Sequence, residues 1–231
     1  MTASADSKPA TGPGPPRRGT PRSRALAQRV MRLFGWDIEG EPPSLPKFVI
    51  IVAPHTSNWD FPIGLLAMFT FGLQMNWLGK HSIFFFPVAP ILRWLGGEPV
   101  DRSAAHGTVG AAIERFQHRT QWVLGISPEG TRRLTDRWKT GFYRIAVGAG
   151  VPIVPAWIDY RRRRLGLGAP IWPSRDEAAD LAKLGALFNK EMAKYPERYA
   201  EGPRGDGDPT PGVGIGTTNG STAGSGIQSL Q

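Results

Sequence analysis

The run Phe48-Val49-Ile50-Ile51-Val52 constrains the fold more than any other stretch of the chain. Five successive apolar residues, four of them β-branched, cannot alternate between a core face and a solvent face. They read as a strand over Lys47–Val52, buried on both sides as in a parallel or mixed sheet covered by helices. The strand runs into Ala53-Pro54-His55-Thr56-Ser57-Asn58-Trp59-Asp60, a polar turn that carries a histidine and reaches an aspartate just where an uncharged segment, Phe61 to Gly79, begins. Pro62 suits the first turn of a helix. A strand, an exposed histidine and a helix start therefore follow one another within a few residues.

The rest of the chain continues the alternation. Helices are expected at Ser23–Gly35, about 61–72, Thr108–His118, Thr140–Ala149 (closed by Gly150) and Arg175–Tyr195. Strands are expected near Met75–Leu78, Glu98–Val100, Gln121–Ile126 and Val151–Tyr160, with a proline-rich connector at Glu41–Pro46. Phe61 to Gly79 has the length of a membrane span, but Gly64, Gly72, Gln74 and Asn76 interrupt it, which favours a buried helix followed by a strand. The block Ile83–Leu92 holds Pro87 and Pro90, so it is not one continuous helix; it is either core or, if exposed, a lipid-facing or acyl-chain surface. These elements imply an α/β fold: a single domain whose mixed, largely parallel sheet is flanked by helices. Residues 1–22 are expected to be a disordered basic arm, 23–201 the folded domain with an N-terminal amphipathic helix, and 202–231 a disordered tail rich in Gly, Ser and Thr.

Charge and cysteine content narrow the partners. Of the formal net charge of +9, residues 1–32 carry +6 and the remaining 199 residues carry +3, so the basic signal is an N-terminal arm. Such an arm suits anionic lipid or nucleic acid, or is simply solvated. Leu26, Val30, Leu33 and Phe34 recur at helical spacing beside Arg24, Arg29 and Arg32, the pattern of a basic helix that either docks on the core or lies in a membrane interface. No apolar segment follows the early arginines as in a signal peptide. The sequence has no cysteine, which excludes disulfides, thiolate metal sites and a cysteine nucleophile.

Two polar segments carry chemistry. His55 and Asp60 lie five residues apart, which on one helix is about 140° of rotation, so they meet only if His55 sits in the turn and Asp60 at the helix start. In that arrangement the carboxylate would orient the imidazole and stabilise its cation, freeing the other nitrogen to take a proton. A simple capping hydrogen bond is the alternative use of the same pair. No second histidine or carboxylate falls at ligand spacing, so no metal is expected. The second segment, Ile126-Ser127-Pro128-Glu129-Gly130-Thr131-Arg132-Arg133, leaves a strand through a glycine turn; its N–H groups and guanidiniums suit a phosphate, or else a solvated polar turn.

Taken with Gly97 to Arg102 and the strand Val151-Pro152-Ile153-Val154-Pro155, these segments resemble the glycerolipid acyltransferase family, whose members include those that acylate lysophosphatidic acid. That family has an H-x4-D pair, a G-x-x-x-V/I-x-R segment, a P-E-G-T-R segment and a V-P-I-V-P-like strand, in this order. The resemblance covers roughly residues 47–160, with Ser127 standing where an aromatic commonly precedes P-E-G-T-R.

It implies that His55 is a general base and Asp60 its orienting partner. It further implies that Arg102, Glu129, Gly130, Thr131, Arg132 and Lys139 bind the acceptor's polar head, with Arg102 on its phosphate and the apolar segments around the acyl chain. The donor would be acyl-CoA or acyl carrier protein, the acceptor a lysophospholipid such as 1-acylglycerol-3-phosphate, with no resident cofactor and no metal.

The expected location is cytoplasmic, peripheral on the inner face of the membrane, and no nucleic-acid partner is expected. Two other readings are a non-catalytic module whose arm grips a membrane or nucleic acid, and an acyl hydrolase in which His55 activates water. Arg161 to Arg164 is a solvated charge run or a site for lipid phosphates.

Overall fold

The structure, a computed structural model, describes residues 13–100 and 107–203. Among the described residues seven strands form one sheet: β1 (Asp37–Glu39), β2 (Lys47–Ala53), β3 (Asn76–Lys80), β4 (Gly97–Val100), β5 (Trp122–Ile126), β6 (Ile153–Asp159) and β7 (Arg164–Leu167). Their order across the sheet is β1-β7-β6-β2-β5-β3-β4, and every neighbouring pair is parallel except β6 with β7. The helices are α1 (Pro21–Leu33), α2 (Asp60–Phe71), α3 (Val88–Trp94), α4 (Gly107–His118), α5 (Gly141–Ala149) and α6 (Glu177–Gly185). This is the mixed, largely parallel α/β domain that the alternating pattern implies.

β2 lies at the centre, and alternate residues of it feed two cores. Val49, Ile51 and Ala53 join Leu124, Ile153 and the buried faces of α4, α5 and α6. Phe48 and Ile50 join Val123, Val154 and residues of α1 and α2, notably Met31, Ala67 and Phe71. Phe116 and Trp122 are fully buried with their rings edge to face at 4.5 Å. Burial of a side chain of that size stabilises by roughly 1.5–3 kcal/mol, and the ring pair adds about 0.5–1.5 kcal/mol. The two-sided core keeps the ends of the central strands from shifting against one another.

Several expectations need correction. The chain is packed from residue 13 onward rather than from residue 23: the Arg18 N–H donates to Gly72 O, the Gln74 N–H donates to Pro16 O, and the Arg18 guanidinium stacks on Phe69 and Trp94. Residues 1–12 and 204–231 lie outside the described residues. α1 starts at Pro21, capped by the Thr20 hydroxyl, and it buries Ala27 and Met31 while Leu26 and Leu33, with Phe34 just after it, stand exposed. The expected last helix, Arg175–Tyr195, stops at Gly185, because Phe188 turns inward against Trp138; short 3-10 turns follow at Lys190–Met192 and Pro196–Arg198.

Strands β1 and β7 escaped the sequence reading, being three and four residues long. They engage part of the arginine run: Arg164 pairs with Glu39, Arg163 donates to Phe34 O, and the Arg162 N–H donates to Asp159. α2 has 12 residues, and among the described residues no helix is long and apolar enough to cross a membrane.

Candidate active site

His55 lies just beyond the C-terminal end of β2, Glu129 just beyond that of β5, and Tyr160 just beyond that of β6. Because β2 is flanked by β5 and β6 in parallel register, these three strand ends emerge side by side. Open α/β sheets bind ligands at such carboxyl ends.

The turn from β2 into α2 is built from its own polar groups. The Asp60 carboxylate, buried at the first position of α2, accepts the Ser57 N–H at 2.9 Å through Oδ2, and the Ser57 hydroxyl accepts the Trp59 N–H at 3.1 Å. The chain thus folds back far enough for His55 Nδ1 to lie 3.1 Å from the same Asp60 Oδ2. That contact is close, but no hydrogen bond forms across it. The other oxygen, Oδ1, accepts the Tyr160 O–H at 2.6 Å. Asp60 therefore serves both as a local brace for the turn and as a partner for the imidazole. His55 keeps 19% of its side-chain surface exposed, while the Asp60 side chain keeps 1%.

Glu129 supports the same turn from the other side. Its Oε2 accepts the His55 backbone N–H at 2.8 Å, and its Oε1 is buried without a protein hydrogen-bond partner, as is the Ser127 hydroxyl. Burial pushes the Glu129 carboxyl from 4.5 up to about 8; the hydrogen bond from His55 opposes that rise and the nearby Asp60 charge adds to it. Gly130 follows with φ of +67°, and the Lys139 side chain lies over it: a Cβ at position 130 would come within 2.9 Å of Lys139 Cδ. The loop from Pro128 closes through the Lys139 N–H, which donates to Pro128 O at 2.7 Å, and is anchored by buried Trp138, whose indole donates to Ala200 O.

His55, Asp60, Gly130, Thr131, Arg132 and Lys139 line one cavity of about 870 Å³. Much of the remaining lining is apolar: Phe61, Leu65 and Met68 of α2, Met75 just before β3, Trp77 and Leu78 of β3, and Leu92 of α3. At Gly64, which also lines it, an added Cβ would meet nothing within 4 Å. Ile83 lines the cavity and is exposed, with Phe85, Phe86, Ile91 and Trp94 exposed nearby in sequence. Of the sequence-derived candidates, Glu129 stands behind His55 rather than in the lining, and Arg102 lies outside the described residues. Ser57 and Tyr160 were not singled out from sequence. Ser57 stood inside the motif with a backbone-bonding hydroxyl as its signal, whereas Tyr160, a hundred residues from Asp60, offered none.

An α/β domain with an imidazole, a buried carboxylate and an apolar cavity at its strand ends is a class shared by several transfer and hydrolysis enzymes. A family model described as Acyltransferase matches residues 39–159, more than half of the 231 residues, and the chain belongs to that family. Among curated relatives it is similar to the 1-acyl-sn-glycerol-3-phosphate acyltransferase of Escherichia coli, at 30% identity over 149 residues, covering 60% of this chain and 59% of that protein. The chain thus spans less than two thirds of that relative's length. The Haemophilus influenzae protein of the same description is 27% identical over 202 residues, covering 75% of this chain and 82% of its own. A crystal structure of a 1-acyl-sn-glycerophosphate acyltransferase from Thermotoga maritima is also similar, with a TM-score of 0.49 and 21% identity over 68% of this chain and 71% of that one.

The Glu129 environment carries a signed pH dependence. Its raised folded value means that the stabilisation is full below about 4.5 and is lost as pH rises through about 8, because over that window the unfolded chain releases a proton that the folded protein retains. Thermal unfolding midpoints measured across the window should fall with pH in the wild type and fall less in Glu129→Gln. Parallel curves for the two proteins would contradict this.

Proposed function

We propose that this chain transfers a fatty acyl group from an acyl thioester, acyl-CoA or acyl carrier protein, to the hydroxyl of a lysophospholipid-type acceptor such as 1-acylglycerol-3-phosphate, with His55 as general base and Asp60 as its partner. One observation carries this reading: the His55–Asp60 pair lines one cavity together with Thr131, Arg132 and Lys139 and with a set of apolar residues. Membership of the acyltransferase family and the descriptions of the relatives support the same reaction class.

Nδ1 of His55 faces Asp60 at 3.1 Å, which leaves Nε2 for substrate. In the proposed reaction Nε2 takes the acceptor's hydroxyl proton as the oxygen attacks the thioester carbonyl. The tetrahedral intermediate then expels the thiolate, which receives the proton from the imidazolium and leaves as the thiol. A positioned base of this kind contributes about 10²–10⁴-fold. The thioester is already activated, so the reaction uses no covalent intermediate on the protein and no resident cofactor.

Thr131, Arg132 and Lys139 surround the acceptor's phosphate and glycerol oxygens on this reading, joined by Arg102, whose part rests on the family resemblance. Glu129 holds the His55 backbone. The apolar part of the lining receives an acyl chain.

Peripheral attachment to the cytoplasmic, inner face of the membrane belongs to the same proposal. The exposed Leu26, Leu33 and Phe34 stand beside exposed Arg29 and Arg32, and a second apolar group, Phe85, Phe86, Ile91 and Trp94, is exposed near the cavity. Basic amphipathic helices with aromatic residues bind anionic interfaces in this way.

Purified protein given lysophosphatidate, with acyl-CoA and acyl carrier protein offered separately, should release thiol. His55→Ala should lower the rate by about 10²–10⁴-fold. Full activity in that variant would refute the base, and release without acceptor would indicate a hydrolase. In the same assay Gly64→Leu should depress turnover of long-chain donors more than short-chain ones; an unchanged chain-length preference would mean that the acyl chain lies elsewhere. Flotation with vesicles containing anionic lipid should be strong for the wild type and weakened by Leu33→Glu with Phe34→Glu. Equal flotation of both proteins would exclude α1 as the attachment surface.

A further inference from the structure

We propose that Tyr160 is a positioning residue of the dyad, its phenol holding one oxygen of Asp60 so that the other stays against the His55 ring. This rests on the general-base reading above and adds a residue to it. Tyr160 follows the last residue of the family match and does not line the cavity, so it would act through Asp60 rather than on substrate.

The terminal torsion of an aspartate is soft and roughly two-fold, so little in the side chain itself fixes the plane of its oxygens. Here each oxygen has its own task. Oδ2 accepts the Ser57 N–H at 2.9 Å and faces His55 Nδ1 at 3.1 Å; Oδ1 accepts the Tyr160 O–H at 2.6 Å. The histidine contact is a close approach without a hydrogen bond, so it does not by itself hold the carboxylate plane. The phenol and the Ser57 amide pin that plane from opposite oxygens, and the imidazole meets an oxygen already in place. Removing the phenol would leave a buried oxygen with no donor, and the carboxylate would turn to find one.

Tyr160 is itself held on several sides. Its backbone N–H donates to Met192 O at 2.9 Å, and its ring meets Trp36 edge on at 5.3 Å. The Lys194 ammonium lies 5.5 Å from its ring and 5.1 Å from that of Trp59. The next residue along the same segment, Tyr195, donates its N–H to the Thr56 hydroxyl at 3.2 Å, so one strap of chain touches both Tyr160 and the His55 turn. Burial and the Asp60 charge push the phenol's ionisation above its ordinary value, so it remains a donor throughout the pH range of the reaction. Ionisable groups around the dyad include Glu129 behind the His55 backbone, Arg132 and Lys139 in the lining of the same cavity, and Lys194 and Tyr195 beside the phenol.

The test compares the full chain with Tyr160→Phe, Asp60→Asn and the double variant in the acyl-transfer assay. Tyr160→Phe keeps the ring and its packing and removes one hydrogen bond to a charged group. The expected result is a fall in kcat of about tenfold. KM for donor and acceptor, which only folded protein reports, should stay within about twofold, because no substrate contact is lost. In the Asp60→Asn background the same change should cost little further, since two residues acting through one interaction are not additive. Wild-type kcat in Tyr160→Phe beside an inactive His55→Ala overturns this inference alone. So does a raised KM with kcat unchanged, or an equal loss in both backgrounds. Activity surviving in His55→Ala removes the base, and this inference with it.

Discussion

Parallel pairing of β2 with β5 on one side and β6 on the other sets where the chemistry of this domain sits. Ile51 lies opposite Ile126 and opposite Pro155. From that shared level the chain runs four residues to His55, three to Glu129 and five to Tyr160. A slip of one residue in either ladder would move a strand end by about 3.3 Å and turn its side chains to the other face. Hydrogen bonds of 2.6–2.9 Å between these groups would not survive such a shift. The two cores that clamp the central strands hold the site in register as well as stabilising the fold.

The polar groups of the site form a tight set rather than a row of independent residues. Asp60 is almost wholly buried and satisfied on both oxygens, and Glu129 is buried with one oxygen bonded and one not. The two carboxyl groups beside the imidazole have different surroundings: Asp60 accepts two hydrogen bonds, while burial raises Glu129 to about 8. One acid braces the turn and faces the imidazole, and the other holds the His55 backbone.

How much of this could be read from sequence depended on distance along the chain. His55 and Asp60 were legible because five residues and a helix start bring them together locally. The unbroken apolar run of β2 announced a buried parallel strand for the same kind of reason. The union of His55 with Glu129, 74 residues away, came from motif order alone, and Tyr160 was invisible because a tyrosine at a strand end has no local signature. The direction of the Leu26, Leu33 and Phe34 stripe stayed open in the sequence, since hydrophobic spacing does not distinguish a stripe facing the core from one facing outward; in the structure it is exposed. The last helix was drawn too long because Leu, Phe and Met continue past Gly185, yet Phe188 belongs to the core around Trp138 and breaks the period.

The apolar wall of the cavity has a material character of its own. Met68 and Met75 line it, and the Met75 thioether crowds Gly125, where an added Cβ would lie 2.6 Å from its sulfur. Unbranched thioethers bend at little cost, unlike the branched residues that fill the sheet. A ligand lying along this wall would meet a compliant surface that can refit to its shape while the sheet behind it keeps its packing.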